Sequence, residues 1–109
     1  LKAKILLLRE GYLESEGSAR RVRELIGRSL TAIVSLLNVM LYLKGVDVPR
    51  DKYETVREAA RVFTMDAAVL MLCFDIKQGK DPLSGKEVIA AFKKYLQEVE
   101  KACHIIDRL

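Results

Sequence analysis

The chain has 109 residues, half of them apolar, 31% charged and only two of them proline, a balance that fits one globular helical domain burying on the order of two-thirds of its unfolded surface. That apolar content excludes an intrinsically disordered chain, and two cysteines are too few for a disulfide-built scaffold. Nineteen basic residues against fifteen acidic ones give a net charge of +4, but the signs are interspersed, so charge alone makes no case for nucleic acid.

The opening segment LKAKILLLREGYLES places Leu1, Ile5, Leu8 and Tyr12 at helical spacing, with Leu6 and Leu13 beside them. This predicts a helix, although an apolar run as short as KILLL is also compatible with a strand. Gly11 weakens the helix, and SEGS over 15–18 brings a break and an N-cap candidate, Ser18. From 18 to 44 the chain then reads as its longest helix. Val22, Leu25, Ile26, Leu30, Ile33, Leu36, Leu37, Met40 and Leu43 form an apolar stripe at three and four spacing. Arg21, Glu24, Arg28, Thr31, Ser35, Asn38 and Tyr42 form a second stripe, charged near its start and neutral but polar towards its end. Gly45 offers a left-handed C-cap, and Pro49 ends any continuation.

Asp51 and Glu54 make a capping-box-like start for a third helix, with Tyr53, Val56, Ala60 and Phe63 on one face, ending near Thr64. Asp66 caps a fourth, AAVLMLCFDIKQ, apolar almost all round and therefore expected to be buried on most sides, which Gly79 closes. Ser84 and Glu87 form an S-x-x-E capping box for a last helix from about 85 to the end. There Val88, Phe92, Tyr95, Val99, Ala102 and Ile106 face the core, while Lys93, Lys94, Gln97, Glu98 and Lys101 face water. The pattern predicts a single all-α domain over 1–109, a four- or five-helix antiparallel up-and-down bundle with short connections.

The motifs that mark catalysis are missing: no glycine-rich phosphate loop, no H-E-x-x-H, no C-x-x-C and no G-x-S-x-G. The single histidine, His104, shares a helical face with Glu100 and Asp107, which reads as a solvated polar face rather than a metal site because no second histidine exists. Cys73 and Cys103 sit in apolar runs as small core residues, which suits a reduced, cytoplasmic setting. No run of 18 apolar residues and no leader pattern points to a membrane. Arginines at 20, 21, 23 and 28 cluster at the start of the long helix, where Arg20 and Glu24 are placed to pair at i,i+4. No aromatics interleave with them as a base-stacking platform would require. No cofactor or metal is called for. What stands out is the neutral polar stripe, Arg28, Thr31, Ser35, Asn38 and Tyr42, as a substrate or interface groove, or else as an internal seam in which Asn38 must find a hydrogen-bond partner.

Arg28 and Ser29 ahead of the apolar run, the N-x-x-L-Y-L-K-G segment from Asn38 to Gly45, the V-P turn at 48 and 49 and the final V-E-K-A-C-H-I-I-D together resemble the helical region that follows the catalytic domain in nucleotidyltransferase-like proteins of bacteria and archaea. The resemblance spans most of the chain and implies a non-catalytic accessory domain beside a nucleotidyltransferase domain, forming a substrate-side groove or a homodimer face. The transfer domain's G-S motif and paired aspartates are absent from this sequence, and Leu1 rather than methionine at the start fits a processed chain or, better, a piece of a longer protein. A related helical type, HEPN, includes ribonucleases with an arginine a few residues before a histidine. Here the nearest arginine before His104 is Arg61, so that pattern is not met. The competing reading is a free-standing helical interaction module, antitoxin-like or regulatory, with an RNA-binding bundle behind it.

Overall fold

Among the residues that the computed structural model describes, 2–15, 17–80 and 82–109, the chain forms five helices and no strand: α1 (Lys2–Glu14), α2 (Ala19–Leu43), α3 (Lys52–Phe63), α4 (Ala67–Gln78) and α5 (Gly85–Ile106). The KILLL run is therefore helix, and the Leu1 and Ile5 end of its expected stripe lies outside the described side chains. Four helices begin where the sequence offers an oxygen to the first free amides. Ser18 accepts from the Arg21 amide, Asp51 from Tyr53, Asp66 from Val69, and Ser84 from Glu87 while the Glu87 carboxylate accepts from the Ser84 amide in return. Gly45 stands at φ 81° one residue beyond the α2 cap. Its amide donates to the Tyr42 carbonyl and that of Val46 to Leu41, closing the helix end with two otherwise orphaned carbonyls satisfied.

The α3–α4 corner does the same job with the wrong residue. Thr64 sits at φ 54°, ψ 50°, where a β-branched side chain crowds its own backbone at a cost of about 1–2 kcal/mol. Thr64→Gly is expected to raise the thermal midpoint by about 4 °C, equivalent to about 1 kcal/mol in a domain of this size. A lower midpoint in differential scanning calorimetry would mean that the threonine side chain stabilises the corner.

α2 is the axis of the bundle and packs against each of the other four helices. Val22, Ile26, Leu30, Ile33, Val34, Leu36, Leu37, Met40 and Leu41 are all buried on it, and one continuous core draws on every helix. By length and composition alone α2 is apolar enough to cross a membrane, as a central core helix also is; here its apolar face lies against its neighbours. α1 packs mainly on α2 and α5. A Cβ on Gly85 would lie 3.3 Å from that of Ala19, and Ser29 Oγ lies 2.7 Å from Tyr95 Oη; both pairs are 66 positions apart in the chain. A constant offset means that α2 and α5 run side by side in the same direction. Between the two long helices, α1 runs opposite to both: Gly11 meets Leu25, Tyr12 stacks on Phe92, and Arg9 pairs with Glu100.

One expected surface residue is buried. Glu98 is not on the water face of α5 with Lys93 and Lys101 but is only 7% exposed. Its carboxylate accepts from the Asp66 amide at 2.5 Å and lies 3.4 Å from Lys101 Nζ, which itself donates to the Thr64 carbonyl at 3.5 Å. A charge is tolerated in this position because the sharp α3–α4 turn supplies a donor and the lysine supplies a counter-charge. Helical periodicity sees only α5, and the partner lies 32 residues away.

Candidate functional site

The polar stripe of α2 is divided among helix boundaries, a consequence of α2 touching all the other helices. Asn38 is half-buried and its Oδ1 accepts from Thr55 Oγ1 at 3.0 Å, tying α2 to α3. This is the partner that its burial requires. Thr31 Oγ1 accepts from Lys77 Nζ at 2.7 Å, tying α2 to α4. Ser35 is exposed and its hydroxyl donates to the Thr31 carbonyl one turn back at 3.2 Å. Tyr42 is exposed at the far end of α2, beside exposed Val39 and Leu43. Arg28 is exposed between two hollows, one against Ile76 and Lys77 of α4 and the other a groove against α1 that the remaining four do not line. The stripe thus combines two interhelical hydrogen bonds with two exposed residues and one rim cation.

That groove runs between α1 and α2. Leu7, Leu8, Glu10, Gly11 and Glu14 form one wall, and Leu25, Arg28, Ser29, Ala32 and Ile33 the other, around about 480 Å³ of space. Gly11 lets the two helices come close: a Cβ there would meet a Leu25 methyl at 2.9 Å. Leu8 and Ile33 close the floor at 4% and 2% exposure. At the α1 C-terminal end the groove opens into a smaller polar hollow lined by Ser15, Arg21 and Glu24 as well as Gly11, Glu14, Leu25 and Arg28. The Arg21 guanidinium donates to the Glu14 carbonyl at 3.2 Å and fixes this end. On the outer side of α1, Leu6, Leu7 and Leu13 are 59%, 65% and 74% exposed. Singly exposed leucines are ordinary, but three on one short helix next to an apolar groove form a patch of the kind that binding sites present.

The signal for this face was present in the sequence. Leu6, Leu7 and Leu8 are consecutive and so point to three sides of α1, while α1 has two main neighbours, α2 and α5. A helix with leucines on three sides cannot bury all of them against two neighbours.

The titratable groups in the interior offer little chemistry. Cys73 is fully buried, and that burial pushes its thiol up to about 12, so the nucleophilic thiolate is scarce at neutral pH. Tyr95 is buried too; burial raises its hydroxyl well above the usual phenol range, against the lowering effect of its hydrogen bond with Ser29 and with a smaller upward push from Cys73. Since Ser29 Oγ donates to the Ile26 carbonyl, the Tyr95 hydroxyl donates to Ser29. His104 is exposed in the last turn of α5, and among the described residues no three histidine, cysteine, aspartate or glutamate side chains gather where they would hold a metal. Arg20 and Glu24 approach to 3.8 Å as the i,i+4 spacing anticipates, both well exposed, a pairing of little energetic weight.

No family model, curated protein or solved structure matches this chain. Its function therefore has to be argued from the groove and the residues around it.

Proposed function

We propose that this chain is a non-catalytic helical interaction module that holds the apolar surface of a protein partner against α1 and the α1–α2 groove. The observation that carries this reading is the set of exposed leucines on α1, Leu6, Leu7 and Leu13, of which Leu7 also lines a groove floored by Leu8 and Ile33. Leaving such a face in water is unfavourable by about 25 cal/mol for each Å² that a partner would cover. The buried Cys73 thiol and Tyr95 hydroxyl support a role without reacting groups, since both are held in their neutral forms. The resemblance to the helical region of nucleotidyltransferase-like proteins supplies a setting for the same reading: an accessory domain beside the domain that carries the chemistry.

A hydrophobic fluorescent dye, anilinonaphthalene sulfonate, tests the reading directly. The folded protein is expected to bind it, and the double variant Leu7→Glu/Leu13→Glu to lose most of that signal while its thermal midpoint moves by no more than about 4 °C, because both side chains are largely exposed. A parent protein that leaves the dye dark, or a double variant that binds it as well, overturns the proposal.

A further inference from the structure

The two walls of the groove carry opposite charge. On the α1 side stand Glu10 and Glu14, on the α2 side Arg28. None of these three side chains takes part in an ion pair or side-chain hydrogen bond among the described residues, whereas Arg9, Arg20, Arg57, Arg61 and Lys101 each pair with a carboxylate. The floor between the walls is apolar, formed by Leu8, Leu25 and Ile33, and the small side chain of Ala32 leaves space above it. α1 is 13 residues long, so the open face extends over about 20 Å, or some three to four turns of an apposed helix.

We infer that the occupant of the groove is an amphipathic helix of a protein partner, with a leucine-type stripe flanked by a basic residue on one side and an acidic residue on the other. The inference rests on the interaction reading above and names the chemistry of the partner. The stripe lies in the groove over Ala32, Leu25 and Leu8 in the manner of helix-in-groove recognition. The basic flank lies against Glu10 and Glu14, and the acidic flank against Arg28. Because reversing a helix exchanges its flanks, the charge pattern also fixes the direction in which the partner lies. A helix with two basic flanks sets one of them against Arg28, and a helix with two acidic flanks sets one against Glu10 and Glu14.

Three synthetic leucine-striped peptides of about 20 residues, long enough to form helix, separate the possibilities: one with lysine on both flanks, one with glutamate on both, and one with lysine on one flank and glutamate on the other. In titrations followed by NMR, the mixed peptide is expected to bind the parent protein about three- to tenfold more tightly than either other, the effect of one or two exposed ion pairs. Its advantage is expected to fade at high salt. With Arg28→Glu both walls are acidic, and the all-lysine peptide is expected to become the tightest. Equal affinities, or an order unchanged by Arg28→Glu, overturn the inference. If none of the peptides binds while the dye does, the groove is open but does not take a helix, so this inference fails and the interaction reading stands. If neither binds, both fail. Self-association of the chain in sedimentation velocity that Arg28→Glu abolishes would replace the partner helix with a second copy and likewise overturn the inference.

Discussion

Above pH 9 the protein is expected to lose stability by on the order of 1 kcal/mol per pH unit, because Cys73 is protonated in the fold and ionised out of it. The thiol titrates near 9 in the unfolded chain and at about 12 when folded, and the cause is burial: the thiolate has no solvent or counter-charge where Cys73 lies. The sign follows from proton counting. Below pH 9 both states hold the proton and Cys73 adds no pH dependence. Between 9 and 12 the unfolded chain has released a proton that the folded chain keeps, so rising pH draws the equilibrium towards the unfolded state. Tyr95 adds to the fall with the same sign once the pH passes the ordinary phenol range, its hydroxyl being raised by the same burial. Urea midpoints measured between about pH 8 and about pH 11 give the slope. Cys73→Ala should lower stability at pH 8, since a buried side chain is trimmed, but flatten the decline above pH 9. If the variant declines as steeply as the parent, the thiol is not what titrates.

The parts of this fold that were legible in the sequence are those fixed within one helix. Ser18, Asp51, Asp66 and Ser84 all cap the helices they were expected to cap, and Gly45 and Gly79 both take the left-handed conformation that ends one. A cap depends on residues three or four positions away, so local spacing suffices to find it. Glu98 and the polar stripe of α2 show where that stops. Glu98 reads as a surface residue of α5 and is buried because the α3–α4 corner happens to present it with an amide. Asn38 and Thr31 read as one stripe and are divided between Thr55 of α3 and Lys77 of α4. Nothing in a helical period states which helix lies on which side, and that is the information a site needs. The parallel course of α2 and α5 belongs to the same class. It follows from α1 lying antiparallel to both, and so from contacts such as Tyr12 on Phe92 that span the chain.

That stack is also where the groove is most vulnerable, and Phe92→Ala is expected to cost about 3–5 kcal/mol, the usual range for emptying a fully buried phenylalanine site. The Phe92 ring is stacked on Tyr12 at 5.1 Å and 14° and meets Tyr95 at 6.3 Å, so it joins α1 to the centre of α5. α1 has α2 and α5 as its main neighbours. The pair between Arg9 and Glu100, also between α1 and α5, is exposed and contributes little. Losing the ring should therefore weaken α1 more than the rest of the bundle, and hydrogen exchange should show α1 amides opening before those of α2. Tyr12→Leu separates this from a general loss of core. Tyr12 is only half-buried, so the global cost should be smaller, yet the same stack is removed and α1 should again exchange early. Dye binding should rise in both variants wherever α1 has detached, since its departure uncovers Leu8, Ile33 and the core beneath them. If α1 in Phe92→Ala stays as protected as α2, the two helices form one cooperative unit, and the groove then lasts as long as the fold itself.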